Sequence, residues 1–177
     1  MSYHVAFISL GCAKNQVNCE QMMATAQAAG HTVIGAPEGA DVVVVNTCGF
    51  LSSACEEAID NILEMAELKK AGQIKKILVT GCMAQRYKDD VLNELPEVDG
   101  VLGTGSYTDI VDAMDRLLDG ERVFEFASID APELETGRVV TTPEHYAYIK
   151  IAEGCDNRCS YCIIPYLRGK YRSRQLD

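Results

Sequence analysis

The sequence lacks long apolar runs, a basic leader and the cysteine density of a disulfide scaffold. Its longest purely aliphatic stretch is Val42–Val45, whereas a membrane-spanning helix needs roughly 18 or more apolar residues. The first residues carry no basic region, so we expect no signal peptide. With 8 Cys in 177 residues, the chain falls well below the roughly 8–10% cysteine of disulfide-rich scaffolds. Free thiols without an export signal predict a cytoplasmic protein that does not bind membranes.

Positive charge is scarce except near the carboxyl end. Residues 1–137 carry 9 Lys and Arg against 22 Asp and Glu, whereas residues 138–177 carry 7 against 4. Nucleic-acid backbones are bound by basic surfaces, so the acidic portion is a poor match for them. An acidic domain fits a basic protein partner better, although simple solubility explains the same charge equally well.

Apolar stretches typical of strands alternate with helical patterns over residues 4–126. The predicted strands cover 4–10, 32–34, 41–46, 75–80, 98–102 and 122–126, and the predicted helices cover 15–29, 52–70, 84–95 and 107–118. This order predicts an α/β fold: an open, mostly parallel Rossmann or flavodoxin-like sheet with helices on both faces.

The pattern changes after this α/β region. Residues 127–140 lack periodicity and predict a linker. The alternating residues 145–152 then predict the first strand of a new domain. We therefore divide the chain into an N-terminal domain (1–126), a linker (127–140) and the start of a second domain (141–177).

Three cysteines near the carboxyl end have the spacing of a metal-binding loop. Cys155, Cys159 and Cys162 form a CxxxCxxC pattern, and we call them the loop cysteines. Gly154 and the polar residues between the thiols let the chain curl, so that three sulfurs can face one centre. Three thiolates leave a four-ligand site one ligand short, and on a four-iron cluster the remaining iron is open to a small molecule. A structural zinc site is the alternative, but the second CxxC knuckle usual for zinc does not follow.

Three further cysteines come one or two residues after the last apolar position of a predicted strand. They are Cys12, Cys48 and Cys82, and we call them the strand-end cysteines. Carboxyl ends of parallel strands share one edge, where open α/β sheets bind ligands, and helix N-termini at that edge favour the thiolate. We predict a second three-thiolate cluster there, with small buried core residues as the alternative. Cys19 and Cys55, each seven positions further on, are predicted to be ordinary helix residues.

Both sets of cysteines lie in longer motifs that resemble those of one enzyme family. The motifs are SLGCAKN at 9–15, VNTCGF at 45–50, VTGCMAQRY at 79–87 and CDNRCSYCIIP at 155–165. They are similar to motifs of the methylthiotransferases, in which an N-terminal α/β domain precedes a radical S-adenosylmethionine barrel. The resemblance covers essentially the whole chain and is greatest to the RimO branch, which modifies an aspartate of a small-subunit ribosomal protein. Cys19 and Cys55 replace polar residues that are more usual in the family.

The resemblance implies two 4Fe-4S clusters and S-adenosylmethionine as cofactors. The loop cysteines would hold the cluster whose open iron chelates S-adenosylmethionine, and reductive cleavage would give a 5′-deoxyadenosyl radical that takes a hydrogen from the substrate β-carbon. Tyr161 would contact the adenine, with a core position as the alternative. The strand-end cysteines would hold the auxiliary cluster, whose open iron presents the sulfur that is transferred. No catalytic residue is assigned beyond these ligands.

The resemblance also implies partners and leaves alternatives open. The expected partners are the ribosomal protein substrate and an electron donor such as flavodoxin or ferredoxin. The chain supplies about one strand of the expected barrel, so we expect an N-terminal fragment that is inactive alone. The alternative functions are a tRNA adenosine methylthiotransferase and a non-catalytic module that binds zinc or an iron–sulfur cluster. A basic run follows the loop, and we expect most of it to be solvated: Arg168, Lys170, Arg172 and Arg174.

Overall fold

Strands and helices alternate along most of the chain in the computed structural model, which describes residues 2–132 and 136–174. The strands are β1 (His4–Ser9), β2 (Thr32–Ile34), β3 (Val42–Thr47), β4 (Lys76–Gly81), β5 (Gly100–Leu102), β6 (Val123–Glu125), β7 (Ala152–Glu153) and β8 (Arg172–Ser173). The helices are α1 (Ala13–Ala28), α2 (Ser52–Lys70), α3 (Cys82–Tyr87), α4 (Asp89–Glu94), α5 (Ile110–Leu118) and α6 (Ile164–Arg168). A 3-10 turn over Tyr107–Asp109 leads into α5.

The main sheet has six parallel strands in the order β2-β1-β3-β4-β5-β6. This is the flavodoxin-like strand order extended by one strand at the β5 edge. The order reverses between β1 and β3, so the topological switch point lies between these two strands. The predicted open parallel sheet is confirmed.

Helices cover both faces of this sheet. Val42 and Val44 of β3 face a core shared with α1 and α5, whereas Val43 and Val45 face a core shared with α2. Successive side chains of a strand point to opposite faces, so a strand buried on both sides is apolar at every position. The four consecutive valines are therefore the sequence signature of the sheet's centre.

The predicted helix over 84–95 is two short helices instead. The helical segment begins earlier than predicted, at Cys82. It is interrupted at Lys88, whose φ of 40° lies in the left-handed region. Asp89 and Asp90 occupy the first turn of α4, where acidic residues favour a new helix start. The apolar periodicity runs through both helices, so it does not reveal this interruption.

The predicted strand over 145–152 is wrong except at its end. Only Ala152 and Glu153 are in a strand, which pairs antiparallel with β8. Ile149 and Ile151 are 77% and 71% exposed. In the described part of the chain these residues have no neighbouring strand, so no ladder stabilises the alternating pattern. The strand predicted at the start of the second domain is therefore not formed over residues 145–151.

The predicted linker lies against α1. Arg138 Nε donates to Oε2 of buried Glu20 at 2.5 Å, and the Val139 backbone N–H donates to the Glu20 carbonyl at 3.1 Å. Within 127–132 and 136–140 the chain forms neither helix nor strand. Residues 133–135 and 175–177, which fall in the predicted linker and second domain, lie outside the described residues. The domain boundaries stay a prediction.

Among the helices of residues 2–132 and 136–174, none combines the length and the apolar character that crossing a bilayer requires.

Candidate functional site

The strand-end cysteines follow three adjacent strands of the sheet. Cys12 comes after β1, Cys48 directly after β3 and Cys82 directly after β4, and these strands neighbour one another in the order β1-β3-β4. Cys12 and Cys48 therefore lie on either side of the switch point, where open α/β sheets bind ligands. Cys12 also immediately precedes α1.

Two glycines allow the turns that carry these thiols to approach one another. A Cβ added to Gly11 would lie 2.7 Å from Cβ and 3.1 Å from Sγ of Cys48. A Cβ added to Gly49 would lie 2.7 Å from backbone atoms of Cys82. Real Cβ atoms do not come this close, so neither position has room for a side chain. The turn after β3 thus contacts both neighbouring turns.

Asn15 fastens the turn after β1 to the turn after β3. Its Nδ2 donates to the Leu10 carbonyl at 3.0 Å and to the Thr47 carbonyl at 2.8 Å, and its own carbonyl accepts from Asn46 Nδ2 at 2.7 Å. Asn15 is completely buried, where each such bond would be costly to lose. Asn15 lies in the SLGCAKN motif, for which only the cysteine had a predicted role. The available signal was a polar side chain on a buried helix face.

Cys82 is the most enclosed strand-end thiol. It is buried, whereas Cys48 is half-buried and Cys12 is exposed. Burial raises the pKa of Cys82, and Arg168 opposes that shift by donating from Nε to Cys82 Sγ at 3.2 Å. The charges of Cys48 and Cys12 raise the pKa further, because the sulfurs lie within electrostatic reach of one another.

The arrangement of donors bears on what these thiols can hold. Over residues 2–132 and 136–174, no group of three His, Cys, Asp or Glu side chains is placed to hold a metal ion as it stands. A four-iron cluster offers a separate iron to each thiolate, so its ligands stand farther apart than those of a single ion. Three soft sulfur donors on adjacent turns fit such a cluster in chemical type.

The loop cysteines line one cavity of about 530 Å³. The Cys155 backbone N–H donates to the Gly169 carbonyl at 3.0 Å, and that of Cys162 donates to the Cys159 carbonyl at 3.1 Å. These bonds curl the loop so that its three cysteines border the same space. Three thiolates at one cavity are again a donor set that suits a cluster with one open iron.

Tyr161 is 86% exposed and is not among the residues that line this cavity. The alternative that Tyr161 is a core residue is therefore wrong for this chain. Its predicted contact with an adenine ring stays a prediction.

Cys19 and Cys55 lie within α1 and α2, as predicted, and both are buried. Burial raises the pKa of Cys19 to about 12 and also raises the pKa of Cys55. A thiol that stays protonated is a poor metal ligand. Both cysteines therefore behave as small apolar residues of the core.

A buried ion-pair cluster joins the loop segment to the N-terminal domain. Glu153 accepts hydrogen bonds from Lys14 Nζ at 3.2 Å, Lys150 Nζ at 3.5 Å and Arg168 Nη1 at 3.3 Å. Burial alone would raise the pKa of Glu153, but the positive charges of Arg168 and Lys150 outweigh it and hold that pKa below its ordinary value. The carboxylate therefore stays ionised.

Arg168 is buried, although most of the basic run that contains it was predicted to be solvated. It is 4% exposed, while Lys170 and Arg174 are exposed and Arg172 is half-buried. The burial of Arg168 is not predictable from the sequence, because a basic run gives no sign of which member turns inward.

The fold and these sites define a class of protein: an α/β domain that presents cysteines at the switch-point edge of a parallel sheet, followed by a three-cysteine loop. Residues 4–103 match the family described as "Uncharacterized protein family UPF0004", and the chain belongs to that family.

Named relatives extend the comparison beyond this domain. Over 174 residues, 98% of this chain and 40% of the relative, it is 52% identical to the ribosomal protein uS12 methylthiotransferase RimO of Lachnoclostridium phytofermentans. It is 49% identical to the protein of that name from Syntrophomonas wolfei over 175 residues, again 98% of this chain and 40% of the relative. The chain thus spans about 40% of the length of these curated relatives. The predicted resemblance to RimO-type methylthiotransferases is confirmed.

Proposed function

We propose that this chain provides the auxiliary-cluster domain and the S-adenosylmethionine cluster loop of an enzyme that methylthiolates the β-carbon of an aspartate in a small-subunit ribosomal protein. One observation carries the proposal: cysteines follow three adjacent parallel strands around the switch point, in a chain whose relatives are named uS12 methylthiotransferases. The loop cysteines around one cavity support it.

Each set of thiols has a role in this proposal. Cys12, Cys48 and Cys82 hold the auxiliary 4Fe-4S cluster, and the loop cysteines hold the cluster that binds S-adenosylmethionine. When bound, these cofactors supply radical cleavage of an unactivated carbon–hydrogen bond and the transferred sulfur, which acid–base side chains cannot supply. The protein positions the thiolates: Asn15 fixes two of the turns, and the hydrogen bonds of the loop aim its cysteines at their cavity. Tyr161, which is exposed beside the loop cysteines, would contact the adenine of bound S-adenosylmethionine.

The partners follow from charge and thiol chemistry. The acidic N-terminal domain suits a basic ribosomal protein better than tRNA. All eight cysteines are free, which suits a reducing cytoplasm. An electron donor such as flavodoxin or ferredoxin would reduce the loop cluster. The expected inactivity of the 177-residue chain by itself stays a prediction.

Metal and sulfide analysis after anaerobic reconstitution tests the cofactor proposal. We expect about eight iron atoms per chain, and about four after replacing either the strand-end or the loop cysteines by Ala, because each set holds one four-iron cluster. The variant Cys19→Ala/Cys55→Ala is the matched control and keeps the full iron content. Zinc without iron or labile sulfide would refute the radical mechanism.

The substrate is tested with a protein of the relatives' length that contains this sequence. Mass spectrometry should detect methylthio transfer to the ribosomal protein and none to tRNA. Transfer to tRNA alone would support the tRNA-modifying alternative.

A further inference from the structure

Arg168 reaches from the loop segment into the strand-end site. Its side chain is 3% exposed, and its guanidinium makes four polar contacts. Nε donates to Cys82 Sγ at 3.2 Å, and Nη1 donates to Asn18 Oδ1 at 3.2 Å and to Glu153 Oε2 at 3.3 Å. Nη2 donates to Asn15 Oδ1. The Arg168 side chain thus binds both Asn15, which fastens two of the thiol turns, and the Cys82 sulfur of the third turn.

This arrangement is more specific than an ordinary ion pair. A buried cation needs its charge balanced and its N–H groups satisfied, and Glu153 provides the balancing charge. The rigid fork of guanidinium donors then places Nε on the Cys82 sulfur and Nη2 on the Asn15 amide oxygen, while Nη1 still reaches Asn18 and Glu153. Tyr107 adds an aromatic face 5.9 Å from the guanidinium carbon. The Cys82 contact is therefore built into a fixed network.

We propose that Arg168 is a positioning residue of the auxiliary cluster, supplied to the N-terminal domain by the loop segment. The inference rests on the proposed function, because it assigns Cys82 to that cluster. Hydrogen bonds to ligand sulfurs and nearby positive charge stabilise the more negative, reduced cluster, so they raise its reduction potential. Arg168 makes the auxiliary cluster easier to reduce and fixes Cys82 relative to Asn15. The auxiliary site is complete only when α6 is docked.

The test isolates the auxiliary cluster in the 177-residue chain. The loop cysteines are replaced by Ala, the chain is reconstituted anaerobically, and the midpoint potential and electron paramagnetic resonance spectrum of the remaining cluster are recorded. Arg168→Gln should shift the midpoint to a more negative value and change the spectrum. Arg168→Lys keeps the charge and loses the fork, so it should shift the midpoint in the same direction by less. A residue with only a structural role would change the amount of bound iron without this graded shift.

Arg122 provides the matched control. Its Nη2 donates to the Val98 carbonyl. Arg122 precedes β6 and so lies at the amino ends of the parallel strands, whereas the thiols lie at the carboxyl ends. Arg122→Gln removes the same charge and should leave the midpoint unchanged. An Arg168→Gln protein that binds iron with the parent's midpoint and spectrum would overturn the inference.

The other outcomes of this experiment also test the role of Arg168. If circular dichroism shows that Arg168→Gln is unfolded, Arg168→Lys decides alone, and an unshifted midpoint in that variant overturns the inference. If the parent with intact strand-end cysteines binds no iron, the proposed function itself fails, and the inference fails with it. If the parent binds iron and the Arg168 variants keep its midpoint potential and spectrum, only the role of Arg168 is refuted.

Discussion

Gly11 and Gly30 offer a matched test of how closely the thiol turns approach. Their φ angles are 90° and 89°, so both lie in the left-handed region, where an alanine is strained. Their surroundings differ. A Cβ on Gly11 would lie 2.7 Å from Cβ of Cys48, whereas a Cβ on Gly30 would meet no atom within 4 Å. A Cβ on Gly11 would also lie 3.4 Å from Asn15 Nδ2, an ordinary contact distance. The difference between Gly11→Ala and Gly30→Ala therefore measures mainly the overlap with Cys48.

The magnitudes follow from two separate costs. The left-handed backbone costs an alanine roughly 1–2 kcal/mol, so Gly30→Ala should lower the free energy of unfolding by that amount. The overlap with Cys48 adds about 1–3 kcal/mol, the usual cost of forcing extra atoms into a filled space. Gly11→Ala should thus lose on the order of 2–5 kcal/mol, a large share of the roughly 5–15 kcal/mol that stabilises a typical domain.

Urea unfolding of the metal-free chain, followed by circular dichroism, measures both variants. The midpoint concentration should fall further for Gly11→Ala, while the slope m stays constant if the compactness of both states is unchanged. Iron binding provides an independent measurement: displacing Cys48 should reduce reconstitution of the auxiliary cluster in Gly11→Ala and not in Gly30→Ala. Equal destabilisation of the two variants would show that the turns are not in contact, and the proposed three-thiolate site would lose its geometric basis.

Three further predictions concern buried polar groups and thiols. Asn15→Ala leaves the Leu10 and Thr47 carbonyls without their donor, so urea unfolding should show a loss of about 2–4 kcal/mol, several times that of an exposed substitution; a loss below 1 kcal/mol would contradict the proposed fastening role. Burial alone would raise the pKa of Glu20, but hydrogen bonds from Thr141 and Arg138 outweigh it and hold that pKa below 4.5. The stability that Glu20 contributes is therefore present above about pH 4.5 and is lost as the pH falls through its lower folded-state pKa. The difference in unfolding free energy between wild type and Glu20→Gln should therefore shrink in acid. A difference that does not change with pH would contradict this prediction. Cys19→Ala should lower the unfolding free energy by about 1–2 kcal/mol through the small cavity it leaves and keep every iron atom; loss of iron would identify Cys19 as a ligand.

Much of the sheet could be predicted because its signals are local. Four consecutive valines in β3 require a strand buried on both faces, and the alternation of strands and helices restricts the topology to a parallel sheet. The carboxyl ends of such strands meet at one edge for any sequence with this topology. Placing Cys12, Cys48 and Cys82 at the same edge therefore needed only their positions relative to the strands.

The predictions that went wrong depended on non-local partners. The alternation over 145–152 is real, but a strand forms only where another strand pairs with it, and β8 reaches Ala152 and Glu153 alone. The interruption at Lys88 lies within a continuous apolar pattern. Local periodicity describes which faces are apolar and does not specify what lies against them.

The sequence alone determined the α/β alternation, the strand-end position of three thiols and the spacing of the CxxxCxxC cysteines, because each depends on residues close together in the chain. Only the tertiary structure decided that Asn15 fastens two turns and that Arg168, from a run of basic residues, is buried against Cys82 and Glu153. Arg168 also donates to Asn15, a residue 153 positions away in the chain. These contacts exist because buried donors and charges must find partners wherever the folded chain brings them.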